Sequence, residues 1–239
     1  MKLLRTIRQI PDKIGQHYLK RRIGKTWVHY QGDKFSQRQY KDYVNYIGHQ
    51  QAKLKFKSIH PVDLVDYDQK YRALLADRLR KSGLLKGGES VLCLGARLGS
   101  EVKAFLDLGC FAVGIDLNPG EANRYVLPGD FHHIQFAEGS IDITFTNSLD
   151  HVYDLKKFID ELSRVLKPGG MFILEVNKGK KEGGSAGFYE SFQWDKINDV
   201  LSILNHHGFV ALLRQPIDFP FPGEQVFLKV GKEKISDVA

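Results

Sequence analysis

The sequence predicts an α/β protein with a doubly wound, mostly parallel sheet that ends in an antiparallel hairpin, preceded by a basic N-terminal extension. Short apolar strands alternate with amphipathic helices from residue 91 onwards, which is the pattern of a parallel sheet with crossover helices. The first of these strands ends in glycine, and two strand-like segments close the chain without a helix between them.

The predicted elements follow in order along the chain. The residue before Pro61 is biased away from helix, so we place a domain boundary between residues 1–60 and 61–239. Buried strands are predicted as short apolar runs and helices by their one-sided apolar stripes. The helices are expected at 66–81, 99–108, 154–166 and 193–207, and the strands at 91–94, 111–115, 141–145, 171–176, 209–213 and 225–230. A glycine- and lysine-rich loop at 178–187 is predicted to be mobile.

Residues 1–60 differ from the rest of the chain in charge. They contain 14 Lys/Arg against 3 Asp/Glu, a net charge of +11, whereas the whole chain carries +7 and residues 61–239 therefore sum to −4. Such a surplus indicates an anionic partner, which is nucleic acid, a membrane surface or an acidic substrate, or else a merely solvated arm. We expect the aromatic-rich part, 25–60, to pack over the core, and residues 1–24 to make weak contact with anionic membranes.

Composition excludes several classes of protein. Hydrophobic residues make up 42% and charged residues 26%, as in ordinary globular domains. No apolar run approaches the roughly 20 residues of a membrane-spanning helix. The two cysteines do not form a disulfide framework, and no Cys/His cluster has zinc-ligand spacing, so we predict no metal site.

Polar and glycine residues stand at the predicted strand ends, where ligands bind in such sheets. Gly95 and Gly99 follow the first strand, and Asp116 ends the second strand 21 residues after Gly95. An acid at this distance can grip a ribose diol. Asp130 and Phe131 suit an adenine ring through its amine and its face. An NAD site would need G-x-G-x-x-G, but Arg97 stands where the second of these glycines is required.

Five segments together resemble the class I S-adenosylmethionine (SAM)-dependent methyltransferases of the small-molecule type. They are VLCLGARLGSEV at 91–102, AVGIDLNP at 112–119, LPGDFHHIQF at 127–136, IDITFTNSLDHV at 141–152 and LSRVLKPGGMFILEV at 162–176. The resemblance covers about residues 65–230 and says nothing about 1–60. It implies a Rossmann-like, seven-stranded sheet, SAM as cofactor and methyl transfer as the reaction.

The resemblance also implies roles for individual residues. Gly95, Ala96, Arg97 and Gly99 form the glycine loop under the methionine part of SAM. Asp116 and its neighbour Leu117 are expected at the ribose, Asp130 and Phe131 at the adenine, and Asn147 near the methyl group. Asp150 and His151 follow Asn147 and are the candidates for a catalytic base. His151 could equally cap or pack near the start of the following helix.

Two residues depart from the family pattern. Cys93 stands where the family usually has an acid, and Arg97 stands where it usually has a glycine. We hypothesise that Arg97 meets the SAM carboxylate and that Glu101 restores part of the missing negative charge. Alternatively, the two side chains, four residues apart on a helix, pair with each other.

These observations predict SAM-dependent methyl transfer to a small-molecule acceptor, lipid-like or glycan-like, in the cytoplasm or at a membrane face. Two alternatives stay open. The basic arm could hold the phosphates of an RNA substrate, or the departures at Cys93 and Arg97 could mark a non-catalytic SAM-binding scaffold. The sequence does not determine the oligomeric state.

Overall fold

The computed structural model describes residues 26–30, 34–55 and 61–231. Residues 1–24, for which membrane contact is predicted, lie outside this part of the chain. Helices span Tyr43–Lys55 (α1), Pro61–Ser82 (α2), Ser100–Leu106 (α3), Leu155–Val165 (α4) and Ile197–His206 (α5). Among the described helices, none is both long enough and apolar enough to cross a bilayer.

In the described part of the chain, ten strands form two sheets. They span Trp27–Tyr30 (β1), Phe35–Arg38 (β2), Ser90–Leu94 (β3), Phe111–Asp116 (β4), Val126–Pro128 (β5), Ile141–Thr146 (β6), Leu166–Asn177 (β7), Phe192–Trp194 (β8), Phe209–Ile217 (β9) and Gly223–Val230 (β10). Short 3₁₀ turns at Leu149–His151 and Lys180–Glu182 interrupt two of the loops.

The main sheet has seven strands in the order β5-β4-β3-β6-β7-β10-β9. Strands β3 to β7 pair in parallel, whereas β10 runs antiparallel to both β7 and β9. The predicted fold class and its terminal antiparallel hairpin are thus confirmed. The chain order reverses at β3, because β4 lies on one side of it and β6 on the other, so a crevice opens at the carboxyl ends of these strands.

Apolar layers cover both faces of this sheet, which is why its strands are nearly continuous apolar runs. Alternate residues of β3 point to opposite layers: Leu92 packs with α4 and α5, while Cys93 packs with α2 and α3. The apolar stripe of α4, from Leu155 to Val165, is buried as its helical spacing predicts.

A second, three-stranded sheet has the order β1-β2-β8 and corrects one prediction. The helix expected at 193–207 begins only at Ile197, because Phe192–Trp194 instead pair antiparallel with β2. Phe192 stacks on Phe35 with ring centroids 5.5 Å apart, and Trp194 is buried on the strand. The pairing partner lies about 150 residues away in the chain, so local periodicity cannot reveal it.

The first helix, α1, fastens residues 43–52 onto the domain. Tyr46 is fully buried, and its hydroxyl donates a hydrogen bond to the His151 carbonyl at 3.0 Å. Gln50 donates to the Tyr189 carbonyl at 3.0 Å, and Gln51 to the Leu117 carbonyl at 3.3 Å. The packing expected for 25–60 is therefore present where the chain is described. The domain boundary at 60 stays a prediction.

Candidate functional site

A cleft of about 290 Å³ lies at the carboxyl ends of β3, β4 and β6. Its wall includes most of the residues predicted from the sequence: Gly95, Ala96, Arg97, Asp116, Leu117, Phe131, Asn147, Asp150 and His151. Gly99 and Asp130 do not line it. Tyr46 and Gln50 of α1 contribute to the wall as well, so the helix closes one side of the cleft.

The glycine loop turns sharply after β3. The amides of Gly95 and Ala96 both donate to the Ile115 carbonyl, at 2.9 and 3.2 Å. Gly95 has φ +71°, and a Cβ on it would lie 2.9 Å from the side chain of Ser148, so a larger residue would be strained and would crowd this wall. Gly99 serves a different purpose, because it starts α3 and a Cβ there would meet Tyr125 at 2.9 Å.

Asp116 holds the loop from the end of β4. One carboxylate oxygen accepts from the Arg97 amide at 3.1 Å, and the other accepts from the Asn118 amide at 2.7 Å. Each oxygen keeps further acceptor capacity. The geometry suits two adjacent hydroxyls, as the sequence predicts for a ribose.

The two residues of the predicted adenine pair, Asp130 and Phe131, point in different directions. Phe131 lies on the cleft wall. Asp130 points instead to α1, where its carboxylate accepts hydrogen bonds from the Tyr43 hydroxyl and from the amide and ring of His132. Burial alone would raise the pKa of Asp130, but these hydrogen bonds outweigh it and lower the pKa to about 2. The Asp130 carboxylate therefore tethers α1 and does not line the cleft. Its contact with adenine stays a prediction.

A buried polar network lies behind the glycine loop, and sequence reasoning missed most of it. The Asn147 amide donates to the Tyr71 hydroxyl at 2.9 Å and to the Glu101 carboxylate at 3.1 Å. Tyr71 donates to Glu175 at 2.5 Å, and Arg78 pairs with Glu175 at 2.6 Å. A carboxylate in the middle of an apolar strand is rare unless it is paired, so Glu175 within FILEV was a signal for this network.

Glu101 brings negative charge to the cleft although the family's strand acid is replaced by Cys93. Its side chain belongs to α3, lines the cleft and is only 7% exposed. Burial raises the pKa of Glu101 to about 7, and the neighbouring Glu175 adds to the effect while Arg97 opposes it. Among the described residues, no ion pair within 4.0 Å joins Arg97 to Glu101. The alternative in which they simply pair is not what the structure shows.

A second set of polar groups on the cleft wall, Asp150, His151 and Glu190, comes from the segments after β6 and before β8. His151 is only 9% exposed, its Nε2 lies 3.7 Å from a carboxylate oxygen of Asp150, and Glu190 stands beside them. The helix start is capped by Asp154, which accepts from the Lys157 amide at 3.0 Å. His151 is therefore not the cap, and its ring lies on the cleft wall. Glu190 was not predicted, since its neighbours in sequence carry no motif.

The loop predicted to be mobile makes several contacts with the rest of the domain. Lys180 and Lys181 both pair with Asp195, at 3.2 and 2.6 Å. The Glu182 carboxylate accepts from the amides of Gly179 and Ile197, each at 2.9 Å. These contacts connect the loop to the start of α5. Its mobility stays a prediction.

Comparison with known proteins places this fold and cleft in context. A family model described as a methyltransferase domain matches residues 92–174. A demethylmenaquinone methyltransferase of Paenarthrobacter aurescens is 27% identical over 129 residues, covering 50% of this chain and 49% of its own. The chain spans about half the length of the curated relatives it matches.

Two solved structures share the fold at low sequence identity. A SAM-dependent methyltransferase from Aquifex aeolicus is 18% identical with a TM-score of 0.55, covering 72% of this chain and 100% of its own. The 1,6-didemethyltoxoflavin-N1-methyltransferase of Burkholderia thailandensis, solved with 1,6-didemethyltoxoflavin and S-adenosylhomocysteine, is 15% identical with a TM-score of 0.60, covering 85% and 98%. These likenesses agree with the fold derived from the strand order.

Proposed function

We propose that this chain, which belongs to the class I SAM-dependent methyltransferase family, transfers a methyl group from SAM to a small-molecule acceptor. The observation that carries the proposal is the cleft at the switch point of the sheet, whose wall combines two sets of groups. We assign the glycine loop and Asp116 to a cofactor end, and the polar wall of Asp150, His151 and Glu190 to an acceptor end.

The first end fits the cofactor's groups. Gly95 lines the cleft with main-chain atoms only, Asp116 has acceptor capacity for a diol, and Phe131 offers an apolar face. Arg97 would meet the cofactor's carboxylate, and Glu101 would meet its ammonium group. The bound cofactor supplies an already activated methyl group on a sulfonium, so the protein's main contribution is to position the two reactants.

The second end favours a small acceptor with a reactive heteroatom. The cleft is near the lower limit of the roughly 300–1,000 Å³ typical of small-molecule pockets. Tyr46 and Gln50 of α1 narrow it further, and a polymer would need a longer open groove. The polar wall can bind the acceptor's reacting heteroatom and is the place where its proton would leave. A relative named as a demethylmenaquinone methyltransferase supports a small-molecule acceptor.

An acceptor screen tests this proposal. The full chain is incubated with SAM carrying a labelled methyl group and with quinols, nitrogen heterocycles, glycans and RNA in parallel. The proposal expects label in a low-molecular-weight product, and a lower rate of labelling with an Asp116→Ala variant when SAM is below saturation. Label in RNA would instead support the RNA enzyme. Tight SAM binding without turnover on any acceptor would support the scaffold.

A further inference from the structure

We propose that Asp150, His151 and Glu190 form a binding site for a divalent cation at the acceptor end of the cleft. The sequence predicts no metal site, because two of these residues are adjacent and the third is 39 positions further on. The fold brings them together: one ligand atom from each lies within 4.8 Å of the other two. All three side chains line the cleft.

The orientation of His151 suits a metal ligand. Its Nδ1 lies 3.1 Å from the Tyr189 carbonyl oxygen, which can only accept, so Nδ1 carries the proton. The lone pair of the neutral ring is then on Nε2, the nitrogen that faces Asp150 at 3.7 Å. Histidines that bind metals commonly donate their other ring nitrogen to a carbonyl in this way, which fixes the ring.

Glu190 gives an independent reason to expect a cation. Its Oε2 is shielded from solvent and accepts no hydrogen bond within the described part of the chain. Arg38 donates to the main-chain carbonyls of Glu190 and Gly187, at 2.9 and 3.1 Å, which fixes the segment that presents the carboxylate. The positive charge of Arg38 acts on Glu190 from one side. A cation between the two partly buried carboxylates would relieve their mutual repulsion on the cleft side.

The donor set limits the kind of ion. One imidazole nitrogen and two carboxylates are typical ligands of Mn²⁺, Fe²⁺ or Mg²⁺ and lack the thiolates preferred by softer metals. Three protein ligands leave coordination positions directed to the cleft. Resting on the proposed function, these positions would take an acceptor hydroxyl and lower its pKa, so that its proton leaves to water while His151 remains a ligand.

Mn²⁺ alone is a suitable probe. The full chain is titrated with Mn²⁺, and the free ion is followed by electron paramagnetic resonance. We expect one Mn²⁺ per chain, and at least about tenfold weaker binding in both Glu190→Gln and Asp150→Asn. Mutating even the residues that hydrogen-bond to metal ligands commonly lowers metal affinity by about that factor. Glu138→Gln, a matched change at an exposed acid outside the cleft, should leave Mn²⁺ binding unchanged.

S-adenosylhomocysteine binding, measured without metal, separates the possible failures. Variants that keep this binding are folded with an intact cofactor end, so their Mn²⁺ affinity reports on the metal site alone. The inference is overturned if the wild-type chain binds no Mn²⁺ at millimolar concentration, or if both variants bind it as tightly as wild type. A wild-type chain that binds Mn²⁺ but not S-adenosylhomocysteine would contradict the proposed function and leave the metal site standing.

Discussion

Glu101→Gln should have opposite effects on stability and on cofactor binding. Gln has nearly the same shape as Glu, and its carbonyl oxygen can still accept the Asn147 hydrogen bond seen at 3.1 Å. The substitution therefore removes the buried negative charge and little else. A residue kept for packing alone would not change the two measurements in opposite directions.

The effect on stability follows from the raised pKa. Burial raises the pKa of Glu101 from its ordinary 4.5 to about 7, so the folded state holds a proton that the unfolded state has released between these values. The free-energy cost of ionising buried Glu101 in the folded state is absent below pH 4.5, grows as the pH rises and is complete above 7. A difference of this size corresponds to about 3 kcal/mol. In urea unfolding, Glu101→Gln should be more stable than wild type by up to that amount at pH 8 and by little at pH 4.5.

The effect on binding has the opposite sign. If only ionised Glu101 binds the ammonium group, wild-type affinity for S-adenosylhomocysteine should rise about tenfold from pH 6 to pH 8, since the ionised fraction rises by that factor around a pKa of about 7. Calorimetry on Glu101→Gln should lack this increase and show affinity at least about tenfold weaker at pH 8, as expected for a lost charge-assisted hydrogen bond. Any ionisation of the ligand itself is common to both proteins. A variant that is more stable yet binds as tightly, with the same pH slope, would refute the assignment of Glu101.

Four further predictions test other parts of the molecule. Asp116→Ala should keep the fold but weaken S-adenosylhomocysteine binding by about 1–3 kcal/mol in calorimetry; unchanged affinity would refute the ribose assignment. Tyr43→Phe removes a hydrogen bond to Asp130, so the pKa of Asp130 should rise from about 2, as an NMR titration of the carboxyl resonances would show. The lowered pKa stabilises the folded state above pH 4, and this stabilisation is lost as the pH falls from 3.8 to 2. The variant should therefore be less stable by about 1 kcal/mol above pH 4. Limited proteolysis should cut within 178–189, and cofactor with acceptor should protect the loop; equal cutting in both states would make it a linker and not a lid. Deleting 1–24 should leave cofactor binding intact and reduce co-sedimentation with anionic liposomes; tight, salt-sensitive RNA binding by a chain that ignores liposomes would favour the RNA enzyme.

The main sheet could be predicted because its signals are local. Each parallel strand is buried on both faces, so it reads as a short apolar run such as VLCL at 91–94. The carboxyl ends of such strands share one edge, which is why the sequence alone places Gly95, Asp116 and Asn147 in one cleft.

Other features depend on contacts between distant residues. The three-residue strand β8 exists because β2 pairs with it. Trp194 lies at helical spacing from the apolar residues of α5, so the sequence wrongly predicted that the helix includes it. Asp130 was placed beside adenine because its position matches the family motif, but the hydroxyl of Tyr43 on α1 takes its carboxylate. Glu190 joins the cleft from a loop with no motif of its own, so only the fold reveals it.

We propose that the cleft lined by Gly95 and Asp116 binds SAM. Calorimetric titration of the full chain with S-adenosylhomocysteine, followed by displacement with SAM and with NAD, tests it most directly. We predict one site per chain, displaced by SAM and not by NAD. Absence of binding, or displacement by NAD as effective as displacement by SAM, would contradict the account.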